Sequence, residues 1–393
     1  MSTLVVTNDF PPRTGGIESF VHAVVRRLPE HGGGPVVVHT ARQRGDAGTD
    51  AALAAAGITV VRDPSPLMVP TPGIVRRVQR TARAHGADRA WFGAAAPLGL
   101  MAPALRAAGV ERTVATTHGH EVWWASLPGS RTALRRIGEG NDTVTYLGDW
   151  CRSQVQRPLT SAARSRMRRL TPGVDTDVFR PDPLARRAVR DRYGLGERPV
   201  VVCVSRLVAR KGQDVLVRAL PALRQRVPDA ALLLVGDGPH RSAVERLADR
   251  AGVREHVVLT GAVPWDEAPA YYAAGDVFCM PTRTRLGGLE PEALGICYLE
   301  AAACGLPVVA GDSGGAPDAV RAGVNGVVVD GRDVAAVARE VGDLLTDPVR
   351  STAYGDAGRA WVSRRWSWEE QTRRLADLLA GVDVPADPAG PSR

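Results

Sequence analysis

The 393 residues include 42 Gly, 29 Pro and 44% hydrophobic side chains, a balance that suits two or three globular domains and excludes a disordered or fibrous chain. Fifty basic residues against 42 acidic ones leave a formal charge of +8, and the excess lies in residues 1–190, where 26 arginines face 15 carboxylates. Such a half expects an anionic partner, a nucleic acid or an anionic membrane surface, while five scattered cysteines without a C-x-x-C pair fit neither a disulfide framework nor a zinc site and point to a reducing compartment.

The first apolar run, Leu4 to Thr7, lacks the basic flank and length of a signal peptide and reads as a strand. After it, Gly15 and Gly16 end a loop and open a helix to about Leu28. Glycine lets backbone approach a ligand, and a helix N-terminus offers free N–H groups to an anion. The pair is not G-x-G-x-x-G, which disfavours an oxidoreductase-type dinucleotide fold. Apolar runs at 35–39, 59–62, 89–92, 113–117 and 144–146 alternate with helical patterns, as in a parallel sheet covered by helices. Residues 73–85 carry Arg76, Arg77, Arg80 and Arg83 beside Ile74, Val75 and Val78, the pattern of an amphipathic helix lying on anionic lipid. The longest uncharged stretch, 90–105, is too short for a membrane span and holds Pro97 and Pro103. In Thr117-His118-Gly119-His120-Glu121 the histidines lack a partner at metal-ligand spacing, so His118 is expected to face a ligand rather than a metal. Asp175-Thr176-Asp177 sits in a turn and reads as structural.

A stretch rich in Pro, Arg and Asp, 180–199, precedes a second series of strands at 200–205, 231–235, 257–260, 277–280, 308–310 and 326–329, with helices over 242–251 and 334–345. The strand ending at Ser205 runs into Arg206-Leu-Val-Ala-Arg210-Lys211-Gly212. Arg206 offers a bidentate fork and Lys211 a compact point charge, together a clamp for a diphosphate. Lys211 is the one lysine in the chain, either a place where a guanidinium does not serve or a chance survivor in an arginine-rich composition. Glu292 and Glu300 stand eight residues apart across a glycine-containing loop and a helix. Glu292 suits the helix mouth, and Glu300, amid Leu299 and Ala301 to Ala303, needs partners such as ribose hydroxyls. A last helix is expected over 368–379 and a disordered tail over 382–393. In such an architecture a ligand belongs in a cleft between the domains, at the carboxyl ends of the strands.

Together, the Gly15-Gly16 loop, the Arg206 to Gly212 clamp, the Glu292 and Glu300 pair, Pro172-Gly-Val-Asp175 and Gly311-Asp-Ser-Gly-Gly-Ala-Pro317 resemble the retaining glycosyltransferases of family 4, from residue 3 to about 380. The resemblance implies an α/β chain of GT-B fold, two Rossmann-like domains facing each other across a cleft. Residues 1–175 would form a lipid-facing acceptor domain, 176–366 a nucleotide-sugar domain, and 367–381 a helix crossing back. Asn8-Asp-Phe-Pro-Pro, Trp91-Phe-Gly-Ala-Ala-Ala-Pro-Leu, Leu127-Pro-Gly-Ser-Arg131 and Ala360-Trp-Val-Ser are similar to the phosphatidylinositol mannoside mannosyltransferases of that family.

That likeness implies transfer of mannose from GDP-mannose, without a metal, to a phosphatidylinositol monomannoside at the inner face of the plasma membrane. It implies that Gly16, through its backbone, Arg206 and Lys211 bind the diphosphate, that Glu300 holds the ribose, and that Gly261 and Val263 edge the base. Glu292 would orient the sugar hydroxyls, joined by the N–H groups of Leu294, Gly295 and Ile296, and His118 would contact the sugar near the reacting bond. Glu290 and Ala293 depart from the aspartate and glycine usual there. Another donor (UDP-glucose or UDP-N-acetylglucosamine), another acceptor, a sugar-nucleotide epimerase and a non-catalytic binder stay open at this point, whereas the lack of aromatic-interleaved basic runs speaks against nucleic acid.

Overall fold

The computed structural model describes residues 2–385. The chain divides into two units, one of residues 2–173 with 368–385 and the other of residues 174–367. In the first unit β1 (Thr3–Thr7), β2 (Val36–Ala41), β3 (Thr59–Asp63), β4 (Arg89–Phe92), β5 (Arg112–Thr116), β6 (Thr143–Tyr146) and β7 (Arg168–Arg169) pair in parallel in the order β3-β2-β1-β4-β5-β6-β7. A parallel sheet is covered on both faces, so its strands are apolar at successive positions rather than alternate ones. β1 illustrates this. Leu4 and Val6 enter a core with Val37, Phe92 and Ala115, while Val5 enters the opposite one with Val38, Trp91 and Val114.

Each face recruits its own helices. The Gly16–Arg27 helix brings Phe20, Val21, Val24 and Val25 to the Val5 side, and the Trp368–Ala380 helix adds Leu375, Ala376, Leu378 and Leu379. That last helix is tied to the first unit by polar contacts too: Thr171 N–H donates to Gln371 Oε1 at 3.1 Å, and Arg112 Nε donates to the Leu378 carbonyl at 3.3 Å. The start of the expected disordered tail is packed as well, because Arg168 Nε bonds the Val384 carbonyl at 2.7 Å and the Val384 side chain is buried. The remainder of that expected tail, 386–393, lies outside the described residues.

On the other face the Pro72–Ala84 helix packs Ile74, Val78 and Ala82 into the core, with Val75 against its edge. The apolar stripe expected to lie on lipid is therefore spent inside the protein, and solvent meets the charged side.

In the second unit β8 (Val200–Val204), β9 (Ala231–Val235), β10 (Val257–Gly261), β11 (Val277–Met280), β12 (Val308–Gly311) and β13 (Gly326–Val329) form a parallel sheet in the order β10-β9-β8-β11-β12-β13. Both sheets are doubly wound. The direction of winding reverses between β1 and β4 in one and between β8 and β11 in the other, and a crevice opens at such switch points beyond the carboxyl ends of the strands. Among the described residues no helix is long and apolar enough to cross a membrane.

Candidate functional site

Three loops of the second unit converge at its switch point, and glycines decide how closely. Gly212 lies in the left-handed region at φ 80°, where a Cβ would sit 2.1 Å from the Pro281 carbonyl oxygen. Only glycine lets the turn after β8 press against the end of β11. Gly311 passes Thr282 in the same way, and a Cβ on Gly314 would meet the Glu292 carbonyl at 2.2 Å. The segment 311–315 is thereby laid along the loop that carries Glu292, where Ser313 Oγ accepts from the Glu292 N–H at 3.1 Å.

This convergence brings Lys211 and Glu292, 81 residues apart in sequence, to 2.7 Å between Nζ and Oε2. Arg210 Nε stands 3.8 Å from the same oxygen. Burial works to lower the Lys211 ammonium, and the Glu292 carboxylate outweighs it, so the pKa ends above that of an ordinary lysine. A compact ammonium fits this nearly closed site, whereas a planar fork needs space on two sides. Arg206, just beyond β8, is exposed, and its guanidinium has no ion-pair or hydrogen-bond partner among the described residues. Next to Glu292 the Ile296–Ala303 helix begins at Gly295, φ 81°, with no side-chain cap. Its first N–H groups are free to meet an anion. Leu294, Gly295 and Ile296 thus stand at an uncapped helix mouth beside Lys211 and Glu292.

Glu300 lies in the second turn of that short helix, half-buried, and accepts a hydrogen bond from Tyr272 Oη at 2.6 Å. Burial pushes its carboxyl up to about 7, with the Tyr272 bond acting in the opposite direction. Tyr272 was not indicated by the sequence, since it lies 28 residues before Glu300 in a different helix. Gly261, φ 81°, ends β10, where its carbonyl accepts from Gly236 N–H at 2.9 Å, and Val263 follows half-buried. Glu290 pairs with Arg285 at 3.3 Å across a small loop that exposes Leu286 and Leu289.

The first unit gathers its own groups at its switch point. Gly16 opens the helix after β1, and a Cβ there would meet no heavy atom within 4 Å; nothing inside the unit demands glycine at that position. Gly15 differs, because a Cβ would fall 2.2 Å from Glu18 Oε2. Beyond β5, His118 Nε2 bonds the carbonyl of Gly93, which follows β4, and the ring packs edge-on to Phe20 at 5.2 Å. A carbonyl only accepts, so Nε2 carries the proton and Nδ1 is left as an acceptor. Burial pulls the imidazole pKa down to about 4, against the Gly93 bond. His118 is therefore neutral near pH 7, fit to receive a hydrogen bond and not to act as an acid. Its own N–H donates to the buried Glu121 carboxylate at 2.9 Å, which holds the turn. Among the described residues no three His, Cys, Asp or Glu side chains group as a metal site. Asp175 Oδ1 instead accepts from the N–H groups of Asp177 and Val178 at 3.1 and 3.2 Å, closing a turn.

The expected arginine row needs one correction. Arg76, Arg80 and Arg83 are exposed, spaced to share a helix face, and without a partner among the described residues. Arg77 turns away: its Nε bonds Asp63 Oδ2 at 2.7 Å and Nη2 bonds Oδ1 at 2.9 Å. Burial alone would raise the Asp63 carboxyl, but the bonds from Arg77, Ser65 and His39 hold it well below the usual carboxylate range. A buried carboxylate at the end of β3 requires such a counter-ion, and that requirement removes Arg77 from the surface row.

Comparison with known proteins follows the same division. Residues 14–178 match the family model described as Glycosyltransferase Family 4, and residues 186–361 the one described as Glycosyl transferases group 1. The chain is 53% identical over 378 residues to the GDP-mannose-dependent alpha-(1-6)-phosphatidylinositol monomannoside mannosyltransferase of Mycolicibacterium smegmatis, spanning 96% of this chain and 98% of the relative. It is 43% identical over 380 residues to the enzyme of Corynebacterium glutamicum described as acting on the monoacylated acceptor, spanning 96% and 97%. Among solved structures, HepE of Anabaena in complex with UDP superimposes with a TM-score of 0.78 at 21% identity, covering 97% of this chain and all of that one. Sucrose-phosphate synthase of Thermosynechococcus elongatus does so with a TM-score of 0.76 at 21% identity, covering 97% and 99%. These two likenesses concern the fold alone.

Proposed function

The chain belongs to glycosyltransferase family 4 and has the GT-B fold, and from that premise we propose that it transfers mannose from GDP-mannose to phosphatidylinositol monomannoside, forming an α-1,6 linkage. The relatives that span nearly its whole length are described by that reaction. The observation that carries the reading is the contact of Lys211 with Glu292 at an uncapped helix mouth, because it sets a cation for phosphate beside a carboxylate for sugar hydroxyls.

In this reading Arg206, Lys211 and the N–H groups of Leu294, Gly295 and Ile296 receive the diphosphate, and Gly16 approaches it through its backbone. Interactions that strengthen as charge builds on the leaving diphosphate lower the barrier directly. Arg206 and Lys211 supply positive charge where a divalent metal would otherwise do so, and transfer is expected to continue in chelator. Glu292 exchanges part of its contact with Lys211 for the sugar hydroxyls, Glu300 accepts from the ribose, and Gly261 with Val263 borders the base. His118, neutral with Nδ1 open, accepts from a mannose hydroxyl. GDP-mannose is itself an α-glycoside, so an α product means retention, and a front-side route in which the departing phosphate takes the acceptor proton needs no separate base. A water-soluble donor and a lipid acceptor meet at a membrane surface. The enzyme works there as a peripheral protein on the inner face of the plasma membrane, held by Arg76, Arg80 and Arg83.

The test is to supply purified protein with GDP-mannose, UDP-glucose or UDP-N-acetylglucosamine and vesicles containing the monomannoside, then weigh the lipid products. One hexose added from GDP-mannose alone, with or without chelator, is expected. A hexose drawn from a UDP-sugar, or nucleotide release without any lipid product, would overturn the proposal.

A further inference from the structure

The segment after His118 contains more apolar residues than its own unit buries. Val122, Trp124 and Ala125 pack inward against Leu134, Tyr146 and Val155. Trp123 and Leu127 point the other way, 44% and 62% exposed. They stand four residues apart at the corner where the Glu121–Trp124 helix gives way to the Pro128–Gly140 helix, Leu127 being the extended residue just before the second helix. In the first turn of that second helix stands Arg131, exposed, with no side-chain partner among the described residues.

The corner is firmly built. Ser130 Oγ donates to the Trp124 and Leu127 carbonyls at 2.9 and 3.1 Å, and Arg131 N–H bonds the Leu127 carbonyl at 2.8 Å. It is also registered to His118, since Glu121 begins the same short helix and accepts from the His118 N–H.

We propose that Trp123, Leu127 and Arg131 form a bilayer-contacting corner that enters the glycerol region around the acceptor lipid and sets its headgroup at the height of His118. The inference rests on the proposed lipid acceptor and names residues that would read its anchored form. Indole and leucine side chains gain by leaving water at a lipid interface. A tryptophan suits the boundary between headgroup and chain, and an unpaired guanidinium complements anionic headgroups. Unlike the arginine row of the Pro72–Ala84 helix, this contact is mostly apolar and therefore insensitive to salt.

The test compares the parent with a Trp123→Ser/Leu127→Ser variant on two acceptors: the diacyl monomannoside in phosphatidylcholine vesicles containing phosphatidylinositol, and its deacylated, water-soluble counterpart. Sedimentation with the same vesicles, without acceptor and at high salt, is read in parallel. Expected is a loss of about tenfold in kcat/KM on the lipid, roughly 1.4 kcal/mol, weaker high-salt sedimentation, and parental transfer to the soluble acceptor. Equal losses on both acceptors would mean that the corner only supports the fold of the site. Parental behaviour in every assay would assign it to another partner, and either result overturns the inference. If the parent glycosylates neither acceptor the proposed function fails instead, and sedimentation alone still decides the corner.

Discussion

The decisive contacts of the second unit are single atoms brought together by loops. Lys211→Arg keeps the charge but not the shape, and a guanidinium placed against Glu292 in a nearly closed site loses the point contact at 2.7 Å. We expect at least a tenfold fall in turnover, about 1.4 kcal/mol, measured with saturating donor. Near-parental kinetics would remove the special role of the one lysine. Glu300 yields a pH dependence with a definite sign. Its carboxyl is raised by burial to about 7, and a carboxylate accepts from ribose hydroxyls more strongly than the neutral acid does. GDP affinity measured calorimetrically should increase as pH rises through about 7 and level off above it, and Glu300→Gln should abolish that rise. The sequence showed Lys211 and the two glutamates because their types and spacing are unusual. It did not show that Lys211 meets Glu292, or that Tyr272 and Ser313 hold the glutamates, because those partners come from other helices and loops and carry no local pattern.

At the level of elements, most strands were legible because they are short runs rich in valine, leucine, alanine or threonine between breaks, and each expected boundary falls within two residues of the observed one. β7 was not, since two arginines paired at the edge of a sheet make no apolar run. The Pro72–Ala84 helix was legible as amphipathic, but periodicity does not reveal whether an apolar stripe meets lipid or core. Asp63 decided the place of Arg77 from 14 residues away. The Trp368–Ala380 helix carries the clearest energetic expectation. Leu375 is fully buried against the first sheet, so Leu375→Ala should cost about 2–5 kcal/mol, read as a lowered unfolding transition of the first unit in a denaturant melt.

For the whole molecule, the lopsided charge becomes specific once internal pairs are set aside. Arg62, Arg77, Arg106 and Arg168 are matched by Asp50, Asp63, Asp142 and Asp383, whereas Arg76, Arg80 and Arg83 are not. At about 1 kcal/mol per arginine near an anionic surface, replacing these three by glutamine should weaken partition to phosphatidylinositol-containing vesicles by on the order of a hundredfold at low salt. The same loss should be approached by raising salt on the parent. Undiminished binding of the triple variant would set the row aside as simple surface charge. The division into units has a consequence of another kind. The second unit is one continuous stretch, while the first is interrupted by it and is completed only by residues 368–385. A ribosome therefore delivers the second unit whole while the first still lacks the helix that covers Val5 and Trp91. The unit whose strands come first in sequence is the last to be finished, and until residues 368–385 follow it exposes an apolar face that a chaperone would recognise.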